Sequence, residues 1–189
     1  METIKVALLL ATTCFAIACT NNQPKETAKI NTSEDLVKRG KYLVTVMGCN
    51  DCHSPKIMTA LGPVPDTNLL LSGHPSAMPI AAIDTITLKS WVLFNPIQTA
   101  AAGPWGVSFS ANLTSDASGI GNWTESQFMI AIRKGKYKGL ENGRMLLPPM
   151  PWPSYAQASE DDLKAVFAYL KSTRPVYNVV PPPIPPKQG

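Results

Sequence analysis

The chain has 189 residues, of which 44% are apolar and 16% charged, and a formal net charge of +4 at pH 7. This length and composition are typical of one folded domain with additional segments and argue against two full domains. The basic residues are scattered, which argues against nucleic acid as a partner and leaves an acidic protein or an anionic membrane surface open.

Residues 1–18 predict a leader that is removed on export. Lys5 is followed by an apolar run that is too short to span a bilayer, which needs about 20 residues. The run ends in small residues before Cys19, as in a bacterial lipoprotein signal, so we expect Cys19 to become the lipidated first residue. The alternative is an ordinary secretory leader. Both interpretations predict an exported protein of the periplasm or cell envelope, and lipidation would anchor it to a membrane.

The mature chain begins with a polar segment and a helix. Residues 19–32 predict a flexible tether with a reach of about 20 Å. Ser33 can cap a helix that continues along an apolar stripe to about Met47. We therefore place the folded domain at 33–175.

Residues 54–122 are rich in proline and show no strong period. Only 83–94 alternates enough to suggest a short hairpin strand. A segment of this length without regular structure usually carries function or wraps another part of the protein.

Regular structure resumes towards the C-terminus. Thr124 and Gln127 form a capping-box pattern at the start of a predicted helix. A last helix is predicted from Ser159, with acidic residues in its first turn and an apolar stripe along it. The proline-rich tail at 176–189 cannot continue this helix, so we expect it to be extended or disordered.

The segment GCNDCHSPK contains Cys49, Cys52 and His53. Cysteines at this spacing serve as a redox dithiol, as half of a zinc site, as a disulfide, or as an anchor for haem. A histidine directly after the second cysteine completes C-x-x-C-H, the attachment signature of c-type haem. Two thiols at this spacing can bond to two porphyrin vinyl groups, and the next residue then supplies the axial imidazole.

The alternatives explain less of the sequence. Removal of the leader and lipidation of Cys19 leave only Cys49 and Cys52 as free thiols, too few for a four-cysteine zinc site. A redox dithiol is expected at the start of a helix among alternating strands and helices, whereas this pair follows a predicted helix. A disulfide leaves His53 unexplained.

The iron needs a second axial ligand from elsewhere in the chain. Met150 lies in PPMPWP, a stiff loop before the last helix that can hold a thioether at a fixed point. The other candidates for this ligand are Met78, Met145 and His74.

Several segments together resemble class I c-type cytochromes, in particular the haem units of the cytochrome c subunits of alcohol dehydrogenases. Besides C-x-x-C-H, these segments are SGHP, GPWGVSFSANLTSD, GIGNWTESQF, LLPPMPWPSY and DDLKAVFAYLKS. The resemblance covers roughly residues 34–175. Such subunits typically carry several haem units, whereas this sequence has one motif, which indicates a free-standing monohaem relative.

The resemblance implies a mainly α, class I cytochrome c fold. In such a fold, 54–110 is a long proline-rich insertion between the haem motif and the distal-ligand loop, and it covers a haem edge or forms a docking surface. Gly40 is expected to pack against the last helix near Tyr169. The resemblance also favours Met150 as the distal ligand.

Further residues are expected around the haem. The second ring nitrogen of His53 should donate to a backbone carbonyl, with Pro63 as the candidate acceptor. Trp152 and Tyr155 are expected to wall the haem against water. Three residues are candidates for contacts with the propionates: Asn112, Trp123 and Arg144.

Together these features predict one covalent haem c that carries single electrons without catalysis, because His53 and Met150 fill both axial positions. The expected partners are a dehydrogenase or membrane complex as donor and a cytochrome or oxidase as acceptor. Two alternatives stay open. One is a haem enzyme or a peroxide or gas sensor with an open or labile sixth position, and the other is a structural haem subunit of a dehydrogenase complex.

Overall fold

The structure, a computed structural model, describes residues 32–84 and 86–186. The expected leader at 1–18, the expected lipidation at Cys19 and nearly all of the 19–32 tether lie outside the described residues. Of the helices that are described, none is long and apolar enough to cross a membrane.

Five α-helices and two small antiparallel sheets form the main regular elements of the described residues. The helices are α1 (Ser33–Val46), α2 (Cys49–His53), α3 (Glu125–Lys134), α4 (Trp152–Tyr155) and α5 (Glu160–Ser172). The strands are β1 (Lys56–Thr59), β2 (Gly62–Pro65), β3 (Leu93–Phe94), β4 (Ala100–Gly103) and β5 (Gly106–Phe109). Single 3-10 turns cover Thr87–Lys89 and Tyr137–Gly139. The three longer helices supply most of the core, as expected for a mainly α chain.

Each of the longer helices begins at a side-chain cap. Thr32 caps α1 instead of the expected Ser33, because the Thr32 hydroxyl accepts the backbone N–H three residues later at 3.1 Å. The predicted capping box at the start of α3 is confirmed, with Thr124 and Gln127 bonded reciprocally. Ser159 caps α5, also as predicted.

The core lies where α1 packs against α5, and α3 adds Phe128 to it. The closest approach is at Gly40. A Cβ atom built there would overlap the Ala165 carbonyl and lie 2.7 Å from the Cβ of Tyr169. The expected contact of Gly40 with the last helix near Tyr169 is therefore confirmed.

The segment 54–110 contains all five strands. β1 pairs with β2 in a hairpin, and β3, β4 and β5 form a three-stranded sheet in that order. The strand expected within 83–94 is reduced to the two residues of β3. β4 and nearly all of β5 are buried. Neither strand is predicted from the sequence, because a four-residue run of buried residues has no alternation to detect.

The C-terminal tail is extended, one of its two expected states, and it packs against the segment 54–110. The side-chain amide of Asn178 donates to the carbonyls of Ser72 at 2.7 Å and His74 at 2.9 Å. Further along, Ile184 exchanges two backbone hydrogen bonds with β5 at 2.8 and 2.9 Å. The packed unit therefore continues past the boundary expected at residue 175.

Candidate haem site

The C-x-x-C-H motif forms α2, a short helix directly after α1. Gly48 between the two helices has φ of 69°, a left-handed conformation that glycine adopts without strain. Cys49 and Cys52 are three residues apart on α2 and therefore lie on one side of it. Both are free, half-buried thiols, and His53 ends the helix as a buried residue. One helical turn thus presents two thiols and an imidazole together.

The environment of the two thiols differs from that of a redox dithiol. Burial raises the pKa of the Cys49 thiol to about 11, and the charge of Asp51 adds to this shift. Burial also raises the pKa of the Cys52 thiol. Because a reactive dithiol depends on a lowered thiol pKa, these surroundings argue against the redox-dithiol interpretation.

The His53 ring is held through its Nδ1 atom, which lies 2.8 Å from the carbonyl oxygen of Ala111. Pro63, the acceptor expected from the sequence, lies instead in the exposed part of β2, so that prediction was wrong. Burial lowers the pKa of the His53 imidazole, so the ring is neutral at pH 7 and Nδ1 carries the proton that it donates. The Nε2 atom of the neutral ring is then the one that can bind a metal.

A set of hydrogen bonds fixes the chain on both sides of this ring. The Ser54 hydroxyl donates to the Asn50 side chain at 2.8 Å and accepts the Leu71 N–H at 2.8 Å. The backbone N–H of Gly73 donates to the His53 carbonyl, also at 2.8 Å. The C-terminal end of α2 is therefore held by residues about 20 positions later in the chain.

Met150 is half-buried between two prolines, immediately before α4. The loop that carries it is attached to β5, because the Ser108 hydroxyl donates to the Pro148 carbonyl at 2.6 Å. The segment 54–110 thus contacts the loop of the candidate distal ligand. This contact gives part of the segment a structural role at the site.

Tyr155 at the end of α4 lies next to the motif. Its hydroxyl donates to the Met47 carbonyl at 2.6 Å, two residues before Cys49. Burial raises the pKa of the Tyr155 phenol to about 12, and the charges of Cys49 and Cys52 contribute to the shift. The loop that holds Met150 is therefore tied, through α4, to the helix turn that holds the thiols.

Trp152 at the start of α4 packs on the end of α3. Its indole lies against Gly135, where a built Cβ atom would come within 2.6 Å of the ring atom Cδ2. Gly135 also has φ of 63°, so both the conformation and the close approach require glycine. Trp152 and Tyr155, the expected aromatic pair, are thus the first and last residues of α4. Of the two, Tyr155 is hydrogen-bonded next to the motif, at Met47.

Two of the other candidate ligands have different surroundings from Met150. The Nδ1 atom of the buried His74 lies 2.9 Å from the Thr99 hydroxyl, and its Nε2 lies 3.4 Å from the Met78 carbonyl. The His74 ring also packs on Phe109, with the ring centroids 4.7 Å apart. Both nitrogens of His74 are thus engaged. Met145 is exposed.

The residues proposed for propionate contacts have other roles. Asn112 is buried, and its amide donates to the Val176 carbonyl at 2.9 Å. Arg144 is exposed, with its guanidinium 3.9 Å from the centroid of the Tyr137 ring. Trp123 packs against the core. Asn112 therefore fixes the tail, and Arg144 makes a surface stacking contact, while contacts of these residues with propionates stay a prediction.

Four residues around the site were missed by sequence reasoning: Ala111, Ser108, Asn178 and Lys56. Ala111 acts through its backbone carbonyl, which has no signature in a sequence. Ser108, Asn178 and Lys56 act by hydrogen bonds to carbonyls, and only folding determines which carbonyls are near. For Lys56, the sequence signal for a place near the site was its position three residues after His53.

The residues present fit a covalently attached haem. Two thiols lie on one side of a helix turn, and a neutral, buried imidazole follows them with its Nδ1 already held by a carbonyl. Metal-binding histidines are oriented in this way by an outer hydrogen bond. The Met150 loop adds a thioether from a segment that is tied to the same turn.

Comparison with known proteins gives three informative relatives. The gluconate 2-dehydrogenase cytochrome c subunit of Pantoea cypripedii is 34% identical over 166 residues, which is 87% of this chain and 27% of that protein. The cytochrome c subunit of the quinone alcohol dehydrogenase of Gluconobacter oxydans is 31% identical over 145 residues, 76% of this chain and 23% of that subunit. The fructose dehydrogenase cytochrome subunit of Gluconobacter japonicus is 28% identical over 162 residues, 84% of this chain and 26% of that subunit.

These comparisons confirm the resemblance to the haem units of dehydrogenase cytochrome c subunits. The chain spans about a quarter of the length of these curated relatives. No protein family model matches it.

Proposed function

Because the chain is related over most of its length to a part of dehydrogenase cytochrome c subunits, we propose that it is a monohaem c-type cytochrome that transfers single electrons. The observation that carries the proposal is the geometry of α2. Its two thiols share one side of the helix, and the buried imidazole beside them is oriented by the Ala111 carbonyl.

Each residue of the site has a separate task. Cys49 and Cys52 would hold the haem covalently, and His53 would offer Nε2 to the iron while Nδ1 donates to the Ala111 carbonyl. Met150 would supply a thioether as the second ligand. A haem held in this way supplies a one-electron couple, and axial thioether ligation raises its potential.

The surrounding contacts keep these groups in place. The bond from Ser108 to Pro148 and the bond from Tyr155 to Met47 hold the two ends of the Met150 segment. A weak iron–thioether bond depends on such support. Two protein ligands would leave the iron no position for a substrate, which favours electron transfer over a haem enzyme or a peroxide or gas sensor.

The partners follow from the relatives, whose names describe subunits of dehydrogenases. The donor is then a dehydrogenase or membrane complex, and the acceptor is a cytochrome or an oxidase. The chain is exported and anchored by a lipid at Cys19, so that the haem domain meets these partners at a membrane surface. Incorporation of labelled palmitate by the wild-type chain, and its loss in Cys19→Ser, is the expected result for this anchor.

The test of the haem site is expression with export in a host that attaches c-type haem. We expect haem that remains on the protein in a denaturing gel, and its loss in the Cys49→Ala/Cys52→Ala double variant. The spectrum should be low-spin, with a weak far-red band from the Met-to-iron bond.

Met150→Ala should abolish the far-red band, whereas Met145→Ala should leave it unchanged. A high-spin ferric spectrum in the wild type would contradict electron transfer with two protein ligands and favour an open-site enzyme or sensor. Survival of the band in Met150→Ala would shift the assignment to another of the candidate ligands. Co-purification with a dehydrogenase but no electron uptake from it would instead indicate a structural haem subunit.

A further inference from the structure

Lys56 lies three residues after His53, at the start of β1, and is half-buried. Its Nζ atom donates three hydrogen bonds to backbone carbonyls. The acceptors are Asn50 at 3.0 Å, Asp51 at 2.8 Å and Ser54 at 2.5 Å. An ammonium group has three N–H donors, and all three are used here, which is the arrangement of a charged lysine.

The position of this charge is set by the end of α2. The last four carbonyls of a helix lack partners within it, and in a five-residue helix Asn50 and Asp51 are among them. A cation at this end satisfies the carbonyls and complements the helix dipole. The third acceptor belongs to Ser54, the residue that follows His53. The Lys56 charge is therefore fixed against the same turn that holds both thiols and the imidazole.

Within the described residues, the positive charge of Lys56 is not neutralised by a nearby carboxylate. The ion pairs of the described part of the chain join four other cations to carboxylates at 2.7 to 2.9 Å, and Lys56 takes part in none of them. Asp51 is the carboxylate whose charge acts on Lys56, and Asp51 is exposed to solvent. Solvent screens exposed charges more strongly than half-buried ones, so a net positive potential remains at the turn.

We propose that Lys56 raises the reduction potential of the haem bound at α2. The inference rests on the proposed haem function. Oxidised haem carries one more positive charge than reduced haem, so a fixed cation beside the axial histidine destabilises the oxidised state relative to the reduced one. Net charge and burial near the iron are among the means by which a protein sets this potential. Lys56 itself exchanges neither electrons nor protons in the couple.

The test compares the reduction potentials of purified, haem-loaded variants. Lys56→Met removes the charge and keeps an unbranched chain, Lys56→Arg keeps the charge, and Lys89→Met removes an exposed charge from the 3-10 turn region as the matched control. We expect Lys56→Met to lower the equilibrium constant for reduction about three- to tenfold, a shift of up to about 59 mV for one electron. Lys56→Arg and Lys89→Met should stay close to the wild type.

A second variant keeps the test decisive if Lys56→Met does not fold. Lys56→Gln removes the charge but keeps a polar side chain that can still donate to the carbonyls at the end of α2, and it should lower the potential as Lys56→Met does. Equal potentials in Lys56→Met and Lys89→Met, or an equal fall in Lys56→Met and Lys56→Arg, would overturn the proposal, since the second result indicates lost packing. Where Lys56→Met does not fold, a potential in Lys56→Gln equal to that of Lys89→Met would overturn it. A wild-type protein without covalent haem would instead contradict the proposed function.

Discussion

The helical core and the segment 54–110 reach their structures by different means. In the core, the caps at Thr124 and Ser159 and the apolar stripes operate within one or two helical turns. At the segment and its two ends, the important contacts join distant residues: His53 to Ala111, which directly flank the segment, across 58 positions, and Ser108 to Pro148 across 40. The comparison indicates that local sequence forms the helices that carry the ligands, while long-range hydrogen bonds from the segment and the tail orient those ligands.

The largest expected effect tests the helical core. Gly40→Val places side-chain atoms where the Ala165 carbonyl lies, so α1 and α5 must separate. We expect the free energy of unfolding to fall by about 3 kcal/mol, the upper range for overpacking. Urea titration of the haem-loaded protein measures it. The control is Lys41→Ala, at an exposed neighbouring position, with an expected change within about 0.5 kcal/mol. Equal stability of the two variants would mean that α1 and α5 do not pack at Gly40.

The second effect tests whether the tail and the segment form one unit. Asn178→Ala removes the bonds to Ser72 and His74 and also the bond that Asn178 accepts from the Ser76 N–H at 3.0 Å. Buried carbonyls are left without partners, so we expect a loss of about 2 kcal/mol in the free energy of unfolding. The matched control is Tyr177→Ala, because Tyr177 is 80% exposed.

The Asn178→Ala and Tyr177→Ala variants also test whether the tail supports the candidate haem site. Loss of the Asn178 bonds should loosen the chain between Ser72 and His74 and raise hydrogen exchange at the Gly73 N–H, which donates to the His53 carbonyl. Unchanged exchange there, together with unchanged stability, would show that the tail is an appendage and that the domain ends near residue 175.

A smaller effect is expected where the segment meets the Met150 loop. Ser108→Ala leaves the Pro148 carbonyl without its donor and should cost about 1 kcal/mol. The specific readout is the far-red Met-to-iron band, which we expect to disappear at a lower temperature than in the wild type. Ser110→Ala is the control, since the Ser110 side chain makes no hydrogen bond within the described residues. A band with wild-type thermal behaviour in Ser108→Ala would argue against a supporting role for β5.

These contrasts also explain how much the sequence could predict. Short patterns predict the helix starts at Thr124 and Ser159 and the C-x-x-C-H turn. The contact of Gly40 with Tyr169 was predicted from the family resemblance. The Ala111 carbonyl was mistaken for that of Pro63, because every residue has a carbonyl and only the folded chain selects one. The role of Asn112 stayed open for a related reason: a buried asparagine and a ligand-binding asparagine look alike in a sequence.

The smallest effect concerns Tyr155, where the Met150 segment meets the end of α1. At neutral pH, Tyr155→Phe loses the hydrogen bond to the Met47 carbonyl, at a cost of about 1 kcal/mol or less. The pH dependence identifies the contact, because burial raises the pKa of the phenol from its ordinary value of 10 to about 12. The unfolded chain therefore loses this proton first, so the stability is fully present below pH 10 and declines as the pH rises towards 12.

Part of that shift comes from the charges of Cys49 and Cys52, which covalent attachment of haem would remove, whereas the burial of the phenol would remain. Unfolding measured between pH 9 and about 11 should therefore show a decline that is steeper in the wild type than in Tyr155→Phe. Tyr177→Phe, at an exposed position, should follow the wild type. Parallel curves for wild type and Tyr155→Phe would mean that the phenol is solvated, and that the Met150 loop is held by its prolines and by Ser108 without help from the helical core.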